Sequence, residues 1–125
     1  MQISKIRPQE VVLLDTDLLD EMCVRLGYSK AETAISAAME DLAVLLQYTG
    51  TLLKAGDFDT LAVTARQIEG LAIRTGMAAL SRVANDVRNL STGDNFNALS
   101  ATSARLRRVG EQSLIAIWDR EDHTI

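Results

Sequence analysis

At 125 residues, 47% hydrophobic and 24% charged, the chain has the composition of one soluble globular domain with a single packed core. A net charge of −4 excludes non-specific nucleic-acid binding, which needs a basic surface to displace phosphate counterions. The lone Cys23 excludes an internal disulfide and Cys-rich metal sites, and no run reaches signal-peptide or transmembrane character, so a soluble cytoplasmic protein is expected.

Aromatics make up only 4% of the residues while Ala and Leu abound, which favours helices. Residues 1–14 show no helical period, and Val11-Val12-Leu13-Leu14 is a short apolar run suited to docking on the rest of the protein or on another subunit. Asp15 or Asp17 caps a first helix over about residues 16–26, closed by Gly27 as a left-handed C-terminal residue. On it, Cys23 near Leu26 reads as a small apolar packing residue.

Ser29-Lys30-Ala31-Glu32 has the form of a capping box opening a helix over about 29–55, with Ile35, Ala38, Leu42, Leu45, Leu46, Leu52 and Leu53 as its apolar stripe. Gly56 ends it and Asp57 caps a helix over about 57–74, whose seam is Leu61, Ala65, Ile68 and Ala72. Thr75-Gly76 breaks the pattern before a helix over about 77–91 carrying Leu80, Val83, Ala84, Val87 and Leu90. Ser91-Thr92-Gly93-Asp94 is a turn with Asp94 as the cap of a last helix over about 95–119. The stripe there is Leu99, Leu106, Val109, Ser113 and Ile117, with Leu114 alongside and Arg105, Arg107 and Arg108 facing outward.

Four amphipathic helices with short connections imply an antiparallel bundle, since none can bury its stripe alone. The organisation expected is an N-terminal extension with a short helix over 1–28 and an all-α four-helix bundle over 29–125. The extra first helix lies across one end of the bundle or along one side.

Arg66, Gly70 and Arg74 recur every four residues and so share one face, rotated away from Ile68 and Ala72. A glycine inside a helix costs about 1 kcal/mol against alanine, so Gly70 suggests a need for bare backbone, for a partner protein or for another helix of the same bundle. The stretch Ala65-Arg66-Gln67-Ile68-Glu69-Gly70-Leu71-Ala72, with Gly76-Met77-Ala78-Ala79-Leu80 after it, resembles the phosphorylation-site helix of bacterial histidine phosphotransfer (HPt) domains. In that family the pattern is histidine, any residue, an aliphatic, lysine, glycine and a small residue, then a glycine at the next helix with a leucine four positions on. Ile68, Gly70, Gly76 and Leu80 match, Arg66 stands at the histidine position and Glu69 at the lysine position. Gly56-Asp57-Phe58 before the helix is also typical of the family.

The resemblance implies an HPt-like four-helix bundle in two-component phosphorelay signalling, with a receiver domain of a response regulator or a histidine kinase as partner. The family's imidazole is the phosphoryl acceptor. An arginine stays protonated and has no lone pair to offer, and Glu69 in place of lysine would repel a phosphoryl group. No catalytic residue and no enzyme activity are therefore expected. The expected docking residues are Arg66, Glu69, Gly70, Ile73 and Arg74, with Arg66 aimed at the receiver's acidic pocket and Leu71 or Ile73 adding apolar contact. In a plainer reading, Arg66 forms an exposed helical pair with Glu69 or Asp59.

His123 is the only histidine and lies beyond the last stripe, where a solvated residue is the ordinary outcome. No Glu-x-x-His pair, activated serine or glycine-rich phosphate loop is present, so neither cofactor nor metal is expected. The functional alternatives are a structural or oligomerisation bundle with no phosphorelay role, or a phosphotransferase using an unconventional residue. A homo-oligomer is compatible with each.

Overall fold

The computed structural model describes residues 14–123, with side chains through Arg120; the run Val11-Val12-Leu13 lies outside the described residues. Within them the chain forms α1 (Thr16–Leu26), α2 (Tyr28–Ala55), α3 (Phe58–Arg74), α4 (Ala78–Ser91) and α5 (Phe96–His123), with no strand. The expected all-α class holds. No helix among the described residues is long and apolar enough to cross a membrane.

The caps are where the sequence misled. Asp15 and Asp57 cap α1 and α3 as expected, each carboxylate accepting a backbone N–H three residues on, at 3.1 Å. The box Ser29–Glu32 does not form, because α2 begins at Tyr28 with Gly27 as its N-cap. An N-cap must have non-helical backbone. Ser29 already lies in the first turn, where its carbonyl accepts the Thr33 hydroxyl at 3.0 Å. Gly27 serves both helices at φ +86° and ψ 151°, a positive-φ conformation open essentially to glycine alone, but outside the left-handed helical region that was expected. The cap of α5 is Asn95, not Asp94: its side chain accepts the Ala98 N–H at 3.0 Å. The last helix also continues past residue 119, taking in His123 at its end. No Gly or Pro interrupts Asp119-Arg120-Glu121-Asp122-His123, and Arg120 is tied by an ion pair to Asp20 on α1.

The stripes meet in one core. Leu42, Leu61, Ile68, Leu80, Leu106 and Val109 are all buried, together with Ala65, Ala72 and Ala84. Leu45, expected in the core, is only half-buried, because it stands at the margin of α2 beside α3. Thr49 is buried one turn along, its hydroxyl satisfied by the Leu46 carbonyl at 2.6 Å. Cys23 packs half-buried against the core, as its neighbourhood suggested.

Both α3 and α5 pack on α2 and on α4, while α1 packs on α2. Between α2 and α5 the approach is close. A Cβ built at Gly110 would lie 2.5 Å from Cδ1 of Leu46, while Arg107, a turn earlier on α5, reaches over Gly50, a turn later on α2. The two helices therefore run in opposite directions where they touch. At the end where α3 and α5 begin, the rings of Phe58 and Phe96 meet in a tilted contact with centroids 6.0 Å apart, worth about 1 kcal/mol.

At the opposite end, α1 is anchored. Its leading residue Asp15 donates its N–H to the Gly76 carbonyl at 2.7 Å, and Leu14 forms a β-bridge with Met77, in the turn between α3 and α4. Its last residue leads through Gly27 into α2, and Asp20 between them meets Arg120 of α5. The first helix packs on α2, and the residues just before it are tied to the turn between α3 and α4. Leu19 and Met22 face inward and join the core.

Ile68→Ala is expected to cost about 2–5 kcal/mol in urea unfolding, as a buried side chain lost from a packed site. Gly110→Ala is expected to cost about 1–3 kcal/mol despite alanine's better helix propensity, because Leu46 is itself buried and has little room to yield.

Candidate functional site

The face carrying Arg66, Gly70 and Arg74 forms one wall of a groove between α2 and α3. Its volume is about 650 Å³, and Asp41, Val44 and Leu45 of α2 face Val63, Arg66, Gln67, Gly70, Leu71 and Arg74 of α3. The placement follows from helical geometry. Leu61, Ala65, Ile68 and Ala72 take the buried side of α3, so the residue after Ala65 and the residue before Leu71 emerge at the edge beside α2. Val44 and Val63 are 67% and 58% exposed, which makes the groove wall apolar and wet at once. Such a surface favours protein contact over a small ligand, which would need deeper enclosure.

Arg66 and Arg74 are exposed at this groove, and among the described residues no ion pair joins Arg66 to Glu69 or Asp59. Glu69 does not share the face. It turns toward α4, where its carboxylate lies 3.6 Å from the Arg88 guanidinium. Two consequences follow. The charge of Glu69 is offset by Arg88, so the groove keeps two guanidiniums against the single carboxylate of Asp41. The repulsion of a phosphoryl group expected of Glu69 is also weakened by this geometry.

Ile73 is 57% exposed but does not line the groove, whereas Leu71 does. Of the five residues singled out in sequence, the structure gathers Arg66, Gly70 and Arg74 and leaves Glu69 and Ile73 outside. Sequence reasoning missed Asp41, Val44 and Val63. Val44 and Val63 lie off the apolar stripes of their own helices, a sign of a second use that was present in the pattern.

Gly70 stands in open space. A Cβ there would meet only Nη1 of Arg74, at 3.4 Å, and no atom of another helix lies within 4 Å. Packing inside the protein does not demand Gly70. Gly76 contrasts with it, at φ +73° with its would-be Cβ 2.9 Å from the Asp15 carbonyl oxygen.

A smaller recess of about 320 Å³ between α4 and α5 is lined by Arg82, Arg105 and Asp86, the same two guanidiniums to one carboxylate as in the groove, but in about half the volume. Among the described residues no cluster of three potential metal ligands occurs. Comparison with protein-family models, curated proteins and solved structures finds no significant match.

Gly70→Ala is expected to leave stability unchanged or to raise it by up to about 1 kcal/mol, the helix-propensity gain. Gly76→Ala is expected to lower it by about 1–2 kcal/mol for the left-handed backbone alone. Loss of the Asp15–Gly76 contact adds to that, and earlier hydrogen exchange in α1 is the measurement that detects it.

Proposed function

We propose that this chain is a non-phosphorylatable HPt-like docking module of two-component signalling, with α2–α5 as an antiparallel four-helix bundle. It takes a receiver or histidine kinase domain into the α2/α3 groove and acts in the cytoplasm as competitor, adaptor or scaffold. The observation that carries this reading is a glycine-walled, partly apolar groove with Arg66 at the position where the resembled family places its phosphoacceptor.

The chemistry supports occupancy without transfer. A guanidinium presents up to five donors in a planar fork and contacts a carboxylate bidentately, so Arg66 engages an acidic pocket without becoming a nucleophile. Arg74, two turns along the same wall, adds a second positive charge and steers an acidic partner toward the groove. Val44, Val63 and Leu71 supply apolar contact area, and Gly70 lets a partner side chain reach the helix backbone.

Gly70→Arg is expected to abolish capture of the cognate receiver or kinase domain while leaving circular dichroism unchanged, since arginine favours helix and the space is open to solvent. Arg66→Ala is expected to weaken that complex by about 1–3 kcal/mol, the size of a charge-assisted contact. If no receiver or kinase of the host responds to Gly70→Arg, the docking role fails and an architectural role remains. Incubation with a phosphorylated receiver or an active kinase is expected to leave no acid-labile phosphate on the chain. Transfer that disappears in His123→Ala overturns this.

A further inference from the structure

The outward face of α5 carries a second pattern that neither the core nor the groove uses. Leu106, Val109, Ser113 and Ile117 point inward toward α2 and α4. On the opposite side Ala101, Ala104, Arg108, Glu111, Ile115 and Trp118 are all exposed. Their spacing alternates three and four residues without a break, the repeat of a helix-pairing seam. Ile115 and Trp118 are 59% and 66% exposed, and Trp118 is the only tryptophan of the chain. Large apolar side chains on a continuous outer seam mark an interaction surface, and tryptophan is the residue type most enriched at the centres of such surfaces.

The order of residues along the seam says what covers it. About a point between Val109 and Gly110, Ala101 is the mirror position of Trp118, Ala104 of Ile115, and Arg108 of Glu111. Each small residue is reflected onto a large one, and the cation onto the anion. A second α5 laid antiparallel across the first, with its two-fold axis at that point, would therefore seat Trp118 over Ala101 and Ile115 over Ala104 at both ends. Arg108 would meet Glu111 twice at the middle. Small against large lets two helices interdigitate, and an isologous interface requires this kind of self-complementarity. A parallel pairing would set Trp118 on Trp118, Arg108 on Arg108 and Glu111 on Glu111, with clashing volume and like charges. Arg108 is engaged within the monomer as well, and its guanidinium has further donors for a contact across the axis.

We propose that the chain forms a reversible homodimer through antiparallel pairing of the outer α5 seams, leaving the α2/α3 groove of each subunit open. This stands independently of the groove's occupant, because Gly70→Arg leaves the seam intact and seam substitutions leave the groove intact.

The test is sedimentation equilibrium of the full chain over a concentration series, with Trp118 fluorescence recorded in parallel. A monomer–dimer equilibrium is expected, with emission shifting to the blue as the dimer fills. Trp118→Ala should raise the dimer Kd about 30-fold, the effect of removing an aromatic anchor. Arg108→Glu should raise it about 10-fold by placing carboxylates opposite each other, and adding Glu111→Arg should restore association. In a Cys23→Ser background, chains with Ala104→Cys should form a disulfide with chains bearing Ile115→Cys but not with themselves. Circular dichroism should stay unchanged throughout, since all these seam positions are exposed. A chain that stays monomeric at millimolar concentration overturns the proposal. So does a dimer indifferent to Trp118→Ala and Arg108→Glu, a blue-shifted emission that does not change with concentration, or cross-linking of Ala104→Cys to itself.

Discussion

Burial of one stripe of α3 against two neighbours at once is the constraint on which the remaining arrangement turns. Leu61, Ala65, Ile68 and Ala72 are each without solvent exposure, and α3 packs on both α2 and α4. Two of the four are alanines, which let a neighbouring helix approach closely, while Leu61 and Ile68 fill the space between. Once that stripe is inward, every other residue of α3 has a fixed bearing. The face with Arg66, Gly70 and Arg74 opens beside α2, and Glu69 is carried round to α4, where Arg88 meets it. A rotation of α3 by one residue would place Arg66 at the margin of the core and expose Ile68, at a cost of several kcal/mol in lost burial and a desolvated guanidinium. The groove is in this sense a by-product of core packing, and its direction is as firmly held as the core itself.

The two ends of the helical layer are held by different contacts. Where α3 and α5 begin, the tilted pair Phe58–Phe96 joins two elements that do not otherwise pack on each other. At the other end α1 is fixed at the turn after α3 by backbone contacts to Gly76 and Met77 and at α5 by Arg120. Gly76 does two things there: it supplies a left-handed backbone, and it leaves room for the Asp15 carbonyl. Arg74, two residues earlier, ends the groove wall. The seat of α1 and the far end of the candidate docking face therefore share one turn, and a change in either is felt through a few backbone bonds.

The glycines inside helices separate the surfaces that serve folding from those left for other uses. Gly110 is demanded by Leu46 of α2, and Gly50 lies beneath the guanidinium of Arg107. Gly70 meets nothing but the arginine of its own helix. The outer face of α5 shows the same excess over what folding requires, since an exposed Ile115 and Trp118 add nothing to the core. The groove lies between α2 and α3, whereas the exposed Ile115 and Trp118 lie on α5.

The sequence by itself determined the helices, and for a simple reason: apolar spacing and the cost of an unburied stripe are properties of each segment alone. It also determined that position 66 holds no nucleophile, because that is a matter of side-chain chemistry. Caps were less certain. Whether Gly27 or Ser29 opens α2, and whether Asp94 or Asn95 opens α5, depends on where neighbouring helices force the chain to turn, and each pair offers acceptable local chemistry. Which of Arg66, Glu69, Gly70, Ile73 and Arg74 act together was decided only by the tertiary structure. Helical spacing fixes the angles between these side chains, but only the partners α2 and α4 decide which angle faces a groove and which faces an arginine. That Val44 stands off its own stripe is visible in the segment alone, but its meeting with Arg66, more than twenty residues away in the chain, is not, because it exists only where two helices meet.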